Sequence, residues 1–211
     1  MMFILRFVAR LLLFVLVLWV VGWFIERFRR RGPMPYAFRW MLDWAPRRLY
    51  SPAGAELKWS HIMPGDTVLE LGPGTGFLSV EAASMVGEKG RLLCLDVQRP
   101  MLGDLSARLG EAGVANADLL VAHGSWLPLR DHCLDSAFLA GVLGEISDRP
   151  AAVAELRRAI RPGGVLSISE HLVDPDYQFE DAVRDLCRAV GFSTLDHHRR
   201  PLGYTMSFTT P

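Results

Sequence analysis

The sequence predicts an α/β fold, a mostly parallel, doubly wound sheet with helices on both faces. Three observations point there. From residue 66 onward, short apolar runs alternate with helix-length segments, the pattern of parallel strands joined by helical crossovers. The first apolar run, Thr67 to Leu71, leads into a turn with three glycines, Gly72-Pro73-Gly74-Thr75-Gly76-Phe77. The next run ends in an acid, Asp96, 20 residues after Gly76. In an open sheet such a turn and such an acid face one crevice.

The elements follow in order. Phe7 to Ile25, "FVARLLLFVLVLWVVGWFI", is interrupted only by Arg10. As a helix it measures about 28 Å, close to the roughly 30 Å of bilayer hydrocarbon. Arg10 can snorkel at one end, and Trp19 and Trp23 suit the other interface. The run is followed by "ERFRRRG" rather than a small-residue cleavage site, which argues for retention. We therefore expect residues 1–31 to form a membrane helix, spanning or surface-lying. Arg27, Arg29, Arg30 and Arg31 then favour a cytoplasmic C-terminal domain by the positive-inside rule. Residues 32–63 read as an amphipathic linker and helical lid. Gly32, Pro33 and Pro35 break the first helix. A short helix is expected from about Tyr36 to Ala45, ended by Pro46. Its Phe38, Trp40, Met41, Leu42 and Trp44 can pack on the main domain, or rest on lipid while Arg39, Arg47 and Arg48 meet phosphates.

Residues 64–211 form the main domain. Thr67 to Leu71, Arg91 to Asp96, "ADLLVAHG", "CLDSAFLAG" and "GVLSISEH" read as strands one to five. "FLSVEAASMV", "MLGDLSARLGEAG", "RPAAVAELRRAI" and "FEDAVRDLCRAVG" read as the helices between and after them. Pro150 suits an early helical position. "STLDHHRRPLGYTMSFTT" supplies two final short strands joined by a turn at Pro201 to Gly203, giving seven strands.

Composition narrows the function. The chain has 211 residues, zero formal net charge, 50% hydrophobic and 22% charged residues. Residues 1–58 hold 10 Lys/Arg against 3 Asp/Glu, and residues 59–211 hold 13 against 20. An acidic main domain argues against nucleic acid as partner. Cys94, Cys133 and Cys187 have no metal-ligand spacing. Cys94 and Cys187 fit as small core residues. His61, His132, His197 and His198 form no convincing metal set, and His123 reads as a strand-end residue. Oligomeric state is left open.

The glycine turn reads Gly-x-Gly-x-Gly, with Phe77 where a dinucleotide fingerprint places its third glycine. It also lacks the Gly-Lys-Ser/Thr ending of a phosphate-binding P-loop. A nicotinamide-dependent oxidoreductase is thereby disfavoured. Exposed backbone groups and a helix N-terminus can still hold a polar ligand there. Asp96 can accept hydrogen bonds from a ribose diol.

"VLELGPGTG" followed by "LLCLDV" resembles the cofactor-binding half of class I S-adenosylmethionine-dependent methyltransferases, from roughly Val68 to Gly191. The resemblance implies a Rossmann-like sheet and S-adenosyl-L-methionine as cofactor. It places Gly72, Pro73, Gly74, Thr75 and Gly76 around the amino-acid and sugar parts. Glu70 then orients the amino-acid end, Asp96 grips the ribose hydroxyls, and Val97 or Gln98 lies near the adenine. Gly124 and Gly141 border the same site. Many relatives carry an acid where Ser125 stands. Trp126 either stacks on the adenine or packs in the core.

Methyl transfer from a sulfonium needs alignment and exclusion of water, with no covalent protein nucleophile. A base is needed only if the acceptor must lose a proton. His171 is the first candidate. Glu145 can orient an amine or cap a helix, and Tyr177 can border the acceptor pocket. An apolar N-terminus favours a lipophilic acceptor met at a bilayer, with a phospholipid head-group amine preferred. A quinone precursor, hydrophobic thiol or fatty acid is the alternative. A non-catalytic, cofactor-binding membrane protein is the alternative of a different class.

Overall fold

The computed structural model describes residues 2–29, 32–42 and 56–211, with side chains of the first helix described only at 6–8, 10–19, 21 and 22. The chain divides into two compact units, Met1–Arg31 and Gly32–Pro211.

The first unit is helix α1, Met2–Arg29. Its described apolar side chains are exposed, among them Leu12, Phe14 and Trp19. The expected spanning segment is not supported: among the described residues no helix is long and apolar enough to cross a membrane. Arg30, Arg31, Trp44, Ala45, Pro46, Arg47 and Arg48, on which the topology and lid expectations drew, lie outside the described residues.

In the second unit, the helix expected from Tyr36 is a 3-10 turn, Tyr36–Met41. The sheet that follows holds seven strands in the order β3-β2-β1-β4-β5-β7-β6. Their ranges are β1 Thr67–Leu71, β2 Arg91–Asp96, β3 Ala117–Val121, β4 Leu134–Ala140, β5 Ile160–His171, β6 Ser193–Arg200 and β7 Gly203–Thr209. Neighbours among β1 to β5 are parallel, whereas β7 runs antiparallel to both β5 and β6. Helices α2 (Ser79–Val86), α3 (Arg99–Glu111), α4 (Arg149–Ala159) and α5 (Glu180–Ala189) connect them. Strand order reverses between β1 and β4, and ligands of open α/β sheets bind at such a switch point, beyond the carboxyl ends of the strands.

Period-2 alternation sorts the sheet residues between two cores. Val68, Leu92, Cys94 and Phe138 pack with Ala82, Val86 and Leu105 of α2 and α3. Leu69, Leu95, Ala137 and Leu139 face the other side, with Leu156 of α4, Val183 of α5 and Phe208 of β7. Cys94 and Cys187 are buried within these cores. The Asp148 carboxylate caps α4 by accepting from the Ala151 amide at 3.0 Å, which fixes where that helix starts. The sequence Pro162-Gly163-Gly164, suited to a turn before the fifth strand, is absorbed into that strand. It lies within β5, where the pairing with β4 shifts register between Leu134 and Ser136. The extra residues are held by the Gly163 and Thr210 amides, which donate across to Thr210 and Gly164.

Candidate active site

The carboxyl ends of β1, β2 and β4 border a cleft with about 960 Å³ of empty space, part of it open to solvent. Its floor is the glycine turn. Gly72 has φ +75° and Gly74 φ +56°, and a Cβ built at Gly72 would stand 2.6 Å from both Val142 methyls. The chain therefore needs glycine at this turn to keep its backbone conformation and close packing.

Two buried acids stand in the cleft. Glu70, on β1, is 3% exposed. Its Oε2 accepts from the Ser79 hydroxyl at 2.6 Å, at the start of α2, and from the Cys94 thiol at 3.7 Å. Burial and the adjacent Glu70 charge hold the Cys94 thiol far above its ordinary pKa, so it is no nucleophile. Asp96, ending β2, accepts from the Gln98 amide at 2.8 Å and from the Gly74 amide at 3.3 Å. Burial raises its pKa against the lowering effect of those backbone bonds. Leu71, Leu95, Met101, Val142 and Ile146 supply apolar walls.

The segment after Gly32 straps across this cleft. Pro33, Met34 and Leu42 line it. The Met34 amide donates to Glu145 Oε2 at 2.9 Å, and the Gln98 side-chain amide donates to the Met34 carbonyl at 3.0 Å. Farther along, the Tyr36 hydroxyl and the Arg39 guanidinium both hold Asp104 of α3. A Cβ at Gly74 would meet Leu42 at 2.8 Å, so the strap presses on the glycine turn.

Of the residues named from the sequence, Glu70, Gly72, Pro73, Gly74, Asp96, Val97, Gln98, Gly124, Gly141 and Glu145 line the cleft. Thr75 and Gly76 do not. Thr75 borders a shallow depression with Asp104 and Arg108, and Gly76 packs on Leu105 of α3. Ser125 lies beside the cleft, its hydroxyl 2.7 Å from His123 Nδ1, and His123 itself lines the cleft. Trp126 is 73% exposed, neither in the core nor on the cleft wall.

The three acid–base candidates are not brought together. Glu145 lies in the 3-10 turn Leu143–Glu145. His171 ends β5, buried, with Nε2 3.1 Å from Glu56 Oε1. Its ring stands behind Gly141, where a Cβ would come within 3.9 Å of Cδ2. Tyr177 packs edge-on against Tyr204 and Phe179, and burial with the Glu180 charge raises its pKa. Sequence reasoning missed Glu56 and the parts played by Met34 and Leu42. No periodicity links Glu56 to His171, and only the fold joins them.

The residues fit a cofactor with a cationic amino-acid end, a ribose and a flat base. A side chain would fill the space over Gly72 and Gly74, two carboxylates suit a cation and a diol, and apolar walls suit a ring. The comparisons agree. Residues 68–164 match a methyltransferase domain family. Among curated relatives, the ubiquinone/menaquinone biosynthesis C-methyltransferase of Vibrio vulnificus is 33% identical over 123 residues, 56% of this chain and 47% of that protein. The enzyme of the same description from Shewanella piezotolerans is 36% identical over 108 residues, 51% of this chain and 43% of that protein. The chain thus spans about half the length of the relatives it matches. Among solved structures, a SAM dependent methyltransferase from Aquifex aeolicus superposes with a TM-score of 0.80 at 23% identity, covering 85% of this chain and 100% of that one. Fold and cleft define a nucleoside-binding α/β domain of class I type. More particularly, residues 68–164 form a methyltransferase domain, whose family and fold imply S-adenosylmethionine as the cofactor.

Proposed function

We propose that the protein transfers a methyl group from S-adenosylmethionine to a lipophilic acceptor, and that the acceptor is a ring carbon of a quinone precursor. The observation that carries the cofactor half is the pairing of Asp96 with the Gly72–Gly74 turn at the switch point of the sheet. The acceptor half is supported by the relatives, whose names state C-methylation in ubiquinone and menaquinone biosynthesis. The head-group amine preferred from the sequence has no comparable support. Glu145, the carboxylate suited to an amine, is engaged by the strap.

Bound in the cleft, the cofactor supplies an electrophilic methyl group. The chain's task is then binding, orientation and exclusion of water. Glu70 holds the amino-acid end and Asp96 the ribose hydroxyls. Val97, Gln98 and Gly124 border the base, and the strap covers the bound molecule. A phenolic acceptor activates its ring carbon by losing the hydroxyl proton. We assign that proton to His171, which stands buried behind Gly141, a residue of the cleft wall, and is oriented by Glu56. The exposed apolar side chains of α1 support association with a bilayer surface, where such an acceptor resides.

The test is methyl incorporation from labelled S-adenosylmethionine, using the full chain in vesicles that also carry an isoprenoid-tailed demethyl quinol. Label in the quinol is expected. Label in phospholipid head groups instead, or none despite cofactor binding, overturns the acceptor assignment.

A further inference from the structure

The face of the domain at which the cleft opens is also its apolar face. Trp126 follows β3 at 73% exposure, Leu172 and Val173 follow β5, and Phe179 precedes α5 at 74% exposure. Trp40 and Met41 are exposed on the strap, where Trp40 lies beside Thr75 of the glycine turn. All six stand at the carboxyl edge of the sheet. Among the strongly exposed large apolar side chains described in Gly32–Pro211, only Met63 and Leu195 stand toward the opposite edge. Met63 precedes β1. Leu195 lies near the start of β6, where Ser193 pairs with Thr209 at the far end of β7.

We propose that this carboxyl edge is a lipid-facing surface, which rests in the headgroup region of a bilayer and admits the acceptor to the cleft directly from the membrane. The inference builds on the lipophilic-acceptor reading above and adds the surface through which it works. Three features select a bilayer over a second protein chain. First, the exposed groups are spread along the edge. Trp126 and Phe179 flank β3 and β5, four strand spacings apart, or about 19 Å. A fluid, flat partner accepts separated points at once, whereas a protein partner needs a complementary surface of that width. Second, Trp40 and Trp126 are amphipathic aromatics of the kind that settle at a membrane–water interface. Third, the strap follows α1 in the sequence with only two residues between Arg29 and Gly32. The apolar helix is thereby tethered to the segment that covers the cleft.

The attraction is apolar rather than coulombic. Arg39 and Arg199 at this edge are each paired with a carboxylate, Asp104 and Glu180, and Arg99 after β2 is exposed. The six side chains named above are uncharged, so insertion through them needs no anionic lipid and survives raised salt.

The experiment is hydrogen exchange on the full chain, with and without vesicles of phosphatidylcholine alone. Amides in 124–127 and 172–179 are expected to slow several-fold with vesicles, in low and raised salt, while 60–66 and 193–196 are unchanged. The double variant Leu172→Ser/Phe179→Ser is expected to lose the slowing in 172–179 and to bind labelled cofactor as before. Three results overturn the proposal: no slowing at the edge, slowing that follows protein concentration without lipid, or slowing only with anionic vesicles at low salt. Methyl transfer is not read here. A failed lipid contact leaves the methyl-transfer reading standing, and a wrong acceptor leaves the lipid contact standing.

Discussion

Asp96 accepts a hydrogen bond from the Gly74 amide at 3.3 Å, so the acid that ends the second strand and the glycine turn that follows the first form one unit. The same carboxylate is buried and its pKa is raised.

Asp96→Ala is expected to weaken S-adenosylmethionine binding by about 10- to 100-fold, the loss of one or two charge-assisted hydrogen bonds. The fold, followed by circular dichroism, should persist. Because the pKa of Asp96 is raised, affinity should fall with acid at a higher pH than for an ordinary aspartate. Calorimetric titration across pH checks both, and unchanged affinity in a folded variant removes Asp96 from the site.

Gly72→Ala places a methyl group 2.6 Å from Val142 at a φ of +75°. The expected cost is about 1–3 kcal/mol of stability, from strain and displaced packing. Cofactor affinity falls with it. Gly72→Ala/Val142→Ala should regain part of the packing loss but not the backbone strain. Thermal unfolding of both variants separates the two contributions.

Glu145→Ala removes the acceptor for the Met34 amide and loosens the strap at one of its ties. Cofactor dissociation should quicken several-fold, with a smaller change in the association rate. Stopped-flow binding measures both, and an unchanged dissociation rate would show that the strap does not retain the ligand.

His171→Asn is expected to lower methyl transfer by about 10²–10⁴-fold, the range for a lost general base, with cofactor affinity retained. Glu56→Gln keeps the hydrogen-bonding shape but not the charge, and should lower kcat less. Equal losses in kcat and in cofactor binding for His171→Asn would reassign the pair to holding the fold.

Glu170 gives a pH signature of its own. Burial pushes its pKa up to about 8, although its Oε2 accepts the Gln178 amide at 3.1 Å. The folded state therefore holds this proton more tightly than the unfolded chain, whose glutamate has a pKa near 4.5. The stability so gained is fully present below about pH 4.5 and is lost as pH rises through about 8, at about 1.4 kcal/mol per pH unit from this group. Glu170→Gln should flatten that slope and be the more stable protein above pH 8. Denaturant unfolding at several pH values tests it, and parallel curves for the two proteins would refute it.

Much of this was legible in the chain because it rests on local patterns. Alternating strand and helix runs, the turn at Gly72–Gly76 and Asp96 at a strand end define a parallel sheet with a switch-point crevice. Buried parallel strands read as continuous apolar runs, and a close-packed turn reads as glycine. Thr75, Gly76 and Trp126 fell in the same segments, yet sequence adjacency does not decide which side of a turn faces the cleft. Gly76 packs against α3 and Trp126 points to solvent. The apolar N-terminus suggested a spanning helix, and among the described residues none is long and apolar enough.

The sequence by itself determined the strand order's ingredients, the cofactor turn and the acid that pairs with it, since each depends on residues within one βαβ unit. Only the tertiary structure decided the rest. Met34 meets Glu145 across 111 positions and Glu56 meets His171 across 115. Nothing in local propensity encodes such contacts. They exist because the sheet brings the carboxyl ends of its strands to one edge, where strap, cleft and exposed apolar side chains share one surface.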